Sequence, residues 1–501
     1  MELKTENRKA KNIILGILSC IAIILVICII IAVGNRKHEE ENEGNTNVTK
    51  NFAADTKDTY DKESTHKTTQ KESDDTDNTQ KETESSKEAQ TTVNQGTAVD
   101  EPATNQPDSN QQTPNQQTSN QQATVQSPTT KQPQQQTTQP TQQQTTTPKP
   151  TNAETIDEKV NRIVSNMTLE EKVYQMFIVA PESLTGQGKV TQAGQTTKDC
   201  INKYPVGGLI YFAANIVNES QVTEMLSNTQ QYSLERTGLK MFTCIDEEGG
   251  RVARIGNNSS FPVKTFPDMA YINGESEAYN VGDTIGGYLS KYGFNVDFAP
   301  CADVITNSEN KVIGTRSFGT NPDIVSRMSL SVAKGLKTHG VLATYKHFPG
   351  HGSTVGDTHE GFAYTNKTLD ELMQSELVPF KSAADNGIDM VMVAHISVPN
   401  VIGDDTPSSL SYKMITGVLK EQLGYKGLIV TDALNMGAIA NKYSSETAAV
   451  MAVKAGNDLL LMPKDFTAAA RAVVNEVKNG NISEERINES VRKIVRAKLK
   501  L

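Results

Sequence analysis

Lys346 to Gly361 reads KHFPGHGSTVGDTHEG and is the densest group of chemically capable side chains in the sequence. It holds three of the seven histidines, His347, His351 and His359, beside Lys346, Asp357 and Glu360. Histidine exchanges protons near neutral pH, so it is suited to general acid/base work. The same stretch also contains zinc-ligand types in His347, His351, Asp357 and His359. Against metal stands the spacing, which is not that of two histidines one helical turn apart, and Gly350 and Gly352 disfavour a helix. A solvated polar loop is the remaining reading. The residues just before, VLATYKHF from Val341 to Phe348, have a β-type pattern. Lys346 and His347 therefore close a strand, and the glycine-rich remainder is a loop on its end, where catalytic groups are usually carried.

The elements that must position this loop are legible in the pattern. Short apolar runs alternate with amphipathic ones. The predicted strands are Tyr174–Ala180, Gly208–Phe212, Met241–Asp246, Phe294–Pro300, Val341–Phe348, Asp389–Ile396, Gly427–Asp432 and Asp458–Pro463. Helical periodicity falls between them, over Asn218–Thr237, Glu275–Tyr292, Asp323–Thr338 and Leu369–Asn386. Near-continuous apolar strands alternating with helices predict a parallel sheet buried on both faces. Eight such units fit an α/β fold of the (β/α)8 TIM-barrel type. The alternative is an open doubly wound sheet, weakened by the lack of a G-x-G-x-x-G turn after the first strand. The polar residues fall at strand ends. Asp246 ends the third strand and opens DEEGGRV, His395 ends the sixth, and Asp432 ends the seventh in GLIVTDAL. Arg316 follows the fourth strand in GTRSFG. Convergence of such residues on one barrel face predicts an active site there. Glu247 and Glu248 are further acids with the chemistry for catalysis.

The K-H-F-P-G-H-G stretch followed by D-x-H resembles the signature of glycoside hydrolase family 3, in its β-N-acetylglucosaminidase (β-N-acetylhexosaminidase) branch and single-domain barrel form. MTLEEKVYQM, with Thr168 and Glu171 in a capping-box pattern, is similar to the opening of family 3 barrels. The resemblance covers about Ile156 to Leu501. It implies Asp432 as nucleophile, His359 as general acid/base and Asp357 as its partner. Asp246, Arg316, Lys346 and His347 are implied as ligands of the non-reducing sugar. His395 is expected beside the sugar or as a buried structural histidine, and Met462 on the pocket floor. Many relatives carry a second acid after the nucleophile, where this chain has Ala433. No metal and no cofactor are implied. The implied function is an exo-β-N-acetylglucosaminidase that removes terminal GlcNAc from peptidoglycan fragments such as GlcNAc–MurNAc by a retaining double displacement. A phosphorylase and a non-catalytic wall-binding barrel are the alternatives. With no tryptophan in the chain, sugar recognition is expected to be mainly polar.

Residues 1–155 have a different character. Ile13–Val33 is a continuous apolar run long enough to span a bilayer as a helix. It is too long for a typical cleaved signal, lacks an A-x-A site, and has a poor lipobox before Cys20. Lys4, Arg8, Lys9 and Lys11 precede it, so residues 1–12 are expected in the cytoplasm and the rest outside, on a single-pass membrane anchor contacting the lipid bilayer. Residues 34–155 are rich in Thr, Gln, Asn and Pro; from Asn35 to Thr155 there is no Ile, Leu, Met or Trp. Such a segment cannot bury enough apolar surface to offset chain entropy, which predicts a disordered linker with a root-mean-square span of roughly 60 Å. A glycosylated stalk is an alternative. The barrel then occupies 156–501. Cys200, Cys244 and Cys301 show no framework spacing, so no disulfide network is expected. The net charge of −10 argues against nucleic acid as a partner. Protease added to intact protoplasts is expected to release the barrel by cutting the linker; a barrel protected until the membrane is broken would reverse the orientation.

Overall fold

The computed structural model describes residues 154–501, apart from 360 and 362. Eight short strands alternate with helices: β1 (Phe177–Val179), β2 (Gly208–Ile210), β3 (Phe242–Ile245), β4 (Val296–Asp297), β5 (Leu342–Phe348), β6 (Met390–Val393), β7 (Leu428–Thr431) and β8 (Leu460–Leu461). β1 to β7 pair in chain order, all parallel. β8 pairs back with β1 through Phe177↔Leu460, and a bridge from Val430 to Leu459 joins it to β7. The sheet therefore closes, which excludes the open doubly wound alternative and gives the (β/α)8 barrel. Strands such as FTCI, MVMV and LIVT are buried at every position, because the barrel interior takes one face and the outer helices cover the other.

Most strands are shorter than in the sequence reading, and two elements differ in kind. The first strand does not begin at Tyr174. Tyr174 and Gln175 complete the helix Leu169–Gln175, which Thr168 caps by accepting from the Glu171 amide while Glu171 reaches back to Thr168 N. The predicted helix Leu369–Asn386 is two helices, Leu369–Gln374 and Val378–Asp385. Ser375 leaves helical geometry between them, and Pro379, which has no N–H to donate, sits in the first turn of the second helix. The apolar run 13–33 and the linker lie outside the described residues, apart from the linker's last two, Glu154 and Thr155, the latter capping the first helix. Among the described residues no helix is long and apolar enough to cross a membrane.

The side of the barrel at the strands' N-terminal ends is closed by two helices, Ile156–Ser165 and Glu484–Lys498, which pack on each other and share the Asp157–Arg496 ion pair. A cleft of about 440 Å³ separates the first from the barrel, lined by Arg162, Asn166, Gln175, Pro205 and Gly238. Pro205 and Gly238 lead into β2 and β3, which fixes the helix to that side. Lys498, 3 % exposed, donates to Gln175 Oε1 at 2.7 Å and lies over the Phe242 ring. Burial without a carboxylate partner pushes its pKa down to about 7. An unfolded lysine titrates near 10.4, so between about pH 7 and 10 the unfolded chain binds more protons than the native one. Stability is therefore expected to rise with pH above 7, by at most about 1.4 kcal/mol per unit from this group. Lys498→Met should flatten that rise, measured by urea unfolding at pH 6 to 9; an unchanged slope would assign it to another group.

Candidate active site

The strand ends that carry polar residues meet on the C-terminal side of the barrel in a lattice of alternating charges. Lys346, from β5 and 3 % exposed, donates to Asp246 Oδ1 at 2.8 Å and lies 2.6 Å from Glu248 Oε1. Arg316, from the loop after β4, grips Glu248 in a two-pronged pair: Nε to Oε2 at 2.9 Å and NH2 to Oε1 at 2.7 Å. Arg254 NH2 stands 3.6 Å from Asp246 Oδ2, and its buried Nε has no hydrogen-bond partner among the described residues. Burial alone would raise the carboxyl pKa values, but the cations outweigh it. Lys346 and Arg254 hold Asp246 below its ordinary value, and Arg316 and Lys346 hold Glu248 far below. Burial would lower Lys346, yet Asp246 and Glu248 push it well up. All of these groups are charged at neutral pH. The carboxylates carry no proton to give, and Asp246, 16 % exposed, is the more open of the two.

Neither glutamate of DEEGG is placed to catalyse. Glu247 is fully buried and accepts from the amides of Arg254, Ile255 and Gly256 and from Tyr288 OH at 2.6 to 2.9 Å. Four donors occupy its two oxygens. Glu248 is consumed by Arg316 and Lys346.

The histidine loop is held from below. An added Cβ at Gly350, whose φ is +126°, would lie 2.4 Å from Glu376 Cβ, and one at Gly352 would lie 2.1 Å from Val304 O. Only glycine lets the loop settle against Glu376 and against the loop after β4. There Thr306 N and Asn307 N donate to Gly352 O, and Asn310 Nδ2 donates to His351 O. Within the loop the four possible zinc ligands divide into separate pairs. His347 Nδ1 meets Asp303 at 2.7 Å, His351 Nδ1 meets Thr354 Oγ1 at 2.9 Å, and His359 Nδ1 meets Asp357 Oδ1 at 2.6 Å. Burial, with His347 adding to it, pushes His351 down to about 4, so it is a neutral brace at neutral pH. Asp357 also accepts from the His359 amide at 2.9 Å, which orients the ring. The His359–Asp357 pair is the more open one, at 20 % and 22 % exposure. It is docked on the loop after β7, where Gly437 N donates to His359 O and Ala438 N to Thr358 O.

Asp432 stands where that loop begins. Its amide donates to Val393 O, and its Oδ1 accepts from the Ala433 amide at 2.8 Å. Burial would raise its pKa; His395, His347 and His359 around it, with the Ala433 amide, bring it below the ordinary value. Asp432 is thus an anion facing three histidines. Residues 168–497 match the glycosyl hydrolase family 3 N-terminal domain. The chain belongs to glycosyl hydrolase family 3.

Among proteins similar to this family 3 chain is β-hexosaminidase A of Pseudoalteromonas piscicida, 34 % identical over 329 residues, covering 60 % of this chain and 55 % of the relative. A β-hexosaminidase of Nitrosomonas eutropha is 31 % identical over 269 residues, 53 % of this chain and 75 % of that one. A solved family 3 β-N-acetylglucosaminidase from Paenibacillus sp. str. FPU-7 superposes with a TM-score of 0.63 at 35 % identity, over 67 % of this chain and 62 % of its own. This chain therefore spans little more than half the length of the first of these relatives.

Three site residues were not read from the family 3 sequence in their observed roles. Glu248 entered as a possible acid and is instead the hub of the lattice. Arg254 faces Asp246, whereas Arg251 turns away to Asp268 and Thr315; nothing in DEEGGRVAR distinguishes the two. Asp303 had a signal, an acid set in the apolar run DFAPCADV. Of the two expectations for His395, its contacts fit the buried structural histidine rather than the sugar ligand. Its Nε2 lies 2.9 Å from Ala433 O and its Nδ1 2.7 Å from Ser409 Oγ, so both ring nitrogens are spent inside the protein. Because Nε2 must donate to a carbonyl, Nδ1 accepts from Ser409. His395 then holds the peptide after Asp432 rather than a hydroxyl. Met462, at the end of β8, is half-buried with φ +47°, a left-handed geometry that is costly for a side chain of this kind. Its amide is pinned to Ile178 O at 2.8 Å.

The lattice predicts two distinct failures. Glu248→Gln keeps the shape but leaves Lys346 and Arg316 short of charge in the interior, and should lower unfolding free energy by about 3–5 kcal/mol. Asp246→Ala removes a partly exposed anion, and should fold nearly as well while losing sugar binding. Urea unfolding with N-acetylglucosamine titration separates them, and equal stability loss in both would contradict the arrangement.

Proposed function

We propose that this chain is an exo-β-N-acetylglucosaminidase acting on terminal β-linked GlcNAc, with peptidoglycan fragments such as GlcNAc–MurNAc as substrate. The observation that carries the proposal is the docking of the His359–Asp357 pair on the loop that starts with Asp432. It sets an oriented imidazole and an ionised carboxylate on the same side of the barrel. Glu247 and Glu248 are both engaged elsewhere, which leaves His359 as the group for proton transfer. The relatives called β-hexosaminidase and β-N-acetylglucosaminidase support the sugar.

In the first step Asp432 attacks the anomeric carbon, and the bond to the leaving oxygen breaks as His359 gives that oxygen a proton. Nδ1 is bonded to Asp357, so Nε2 is the nitrogen that transfers it. In the second step His359 takes a proton from water, and the hydroxide oxygen displaces Asp432 to regenerate the enzyme with net retention. Asp357 is ionised: burial opposes this, but the His359 ring and amide bonds prevail. It therefore stabilises the imidazolium that donates in the first step and is formed again in the second. Asp246, Arg316, Lys346, Arg254 and His347 hold the terminal sugar, and Met462 walls the pocket. The apolar run 13–33 anchors the protein to the cell membrane with the barrel outside, in reach of wall fragments.

The two catalytic roles separate by leaving group. Asp432→Ala should be nearly inactive on both a GlcNAc disaccharide and dinitrophenyl β-GlcNAc. His359→Ala should lose on the order of 10²–10⁴-fold on the disaccharide, whose alkoxide needs a proton. On the dinitrophenyl glycoside it should give a burst and then stall, with azide speeding the slow phase to yield a β-glycosyl azide. Equal losses on both substrates without a burst would remove His359 from the role. A wild-type product that becomes GlcNAc-1-phosphate in phosphate buffer would make the enzyme a phosphorylase.

A further inference from the structure

We propose that Asp303 is a positioning residue for sugar binding, one that fixes the proton of His347 on Nδ1 and so presents an Nε2 lone pair to the substrate. The inference rests on the sugar pocket proposed above. Asp303 is fully buried just beyond β4, and its carboxylate is the meeting point of four donors. Oδ2 lies 2.7 Å from His347 Nδ1 and 3.3 Å from Cys301 Sγ, while Oδ1 accepts from the His347 amide at 3.2 Å and the His351 amide at 2.6 Å. Burial works against its charge, but His347 and His351 hold its pKa down to about 2. An ionised carboxylate can only accept, so the proton of the His347–Asp303 bond belongs to Nδ1. In the neutral ring Nε2 is then an acceptor.

A second, independent contact ties the same residue to the lattice. Ser317 Oγ donates to Asp303 O at 2.6 Å, which anchors Asp303 to the residue after Arg316. Asp303 thus joins the Arg316 turn to the β5 end that carries Lys346 and His347. The chemistry of the pocket shows what the arrangement supplies. Lys346, Arg316 and Arg254 are pure donors, and Asp246 and Asp432 are anions. A sugar hydroxyl that receives a bond from one of the cations still has its own proton to place. Nε2 of His347 accepts that hydrogen bond without adding another negative charge to the pocket. The opposite tautomer would offer one more donor to a pocket already rich in them.

The wild-type protein, labelled with ¹⁵N-histidine, tests the tautomer directly by two-bond ¹⁵N–¹H correlation, with His347→Gln to assign the signal. The expected pattern places the neutral-ring proton on Nδ1, and a proton on Nε2 overturns the proposal. Asp303→Asn keeps an oxygen for the two amides but puts a donor opposite Nδ1, which drives the ring proton to Nε2. It should lower kcat/KM on dinitrophenyl β-GlcNAc by about 5- to 100-fold, the cost of leaving a desolvated hydrogen-bonding group unpaired. In a His347→Ala background the same substitution should change kcat/KM by less than about twofold, because its route is gone. An equal loss in both backgrounds makes Asp303 merely structural and overturns the proposal. A wild-type protein with no activity on GlcNAc glycosides would refute the proposed function instead, and the histidine spectrum would still decide the tautomer.

Discussion

Lys346 cannot be buried alone. An ammonium group removed from water without partners costs far more than a fold of this size can supply, so it is buried only with carboxylates beside it. They come from the β3 end, as Asp246 and Glu248, and Glu248 in turn requires Arg316 from the β4 loop. Three barrel segments that are separate in sequence are thereby locked at one height. The arrangement is also ready before substrate arrives: its charges already neutralise one another and need little reorganisation when a sugar displaces water. Preorganised polar groups of this kind stabilise developing charge more effectively than solvent does.

The lattice and the histidine loop solve different problems. In the proposed function sugar recognition needs rigidity, and the residues assigned to it are almost entirely shielded. Proton transfer needs access, since a leaving group must depart and water must enter through the same side. His359 and Asp357 accordingly sit on a loop whose glycines allow it to seat tightly at Gly350 and Gly352, while its far end rests on the residues after Asp432. His395 and Ser409 brace that second loop from inside the barrel.

Much of this was legible in the sequence because the controlling patterns are local. Continuous apolar runs such as MVMV and LIVT fix buried strands, and a polar residue ending such a run, as at Asp246 or Asp432, marks the functional rim of a parallel barrel. Asp357 and His359 are two residues apart, so their pairing follows from the chain itself. What stayed hidden depended on partners far along the chain. Glu248 is chemically an acid until Arg316 and Lys346 are seen beside it. The role of His395 follows from Ser409 and Ala433, fourteen and thirty-eight residues away. The choice between Arg251 and Arg254 is made by a turn. The boundary errors had local causes too subtle for periodicity, a helix that runs up to β1 and a break at Ser375 ahead of Pro379.

The first described helix, Ile156–Ser165, lies across the barrel side opposite the catalytic rim and is bound to the helix Glu484–Lys498. Any pull exerted through the preceding polypeptide therefore enters at that helix pair. If residues 13–33 anchor the chain as proposed, the chain enters the barrel on the side away from Asp432 and Lys346.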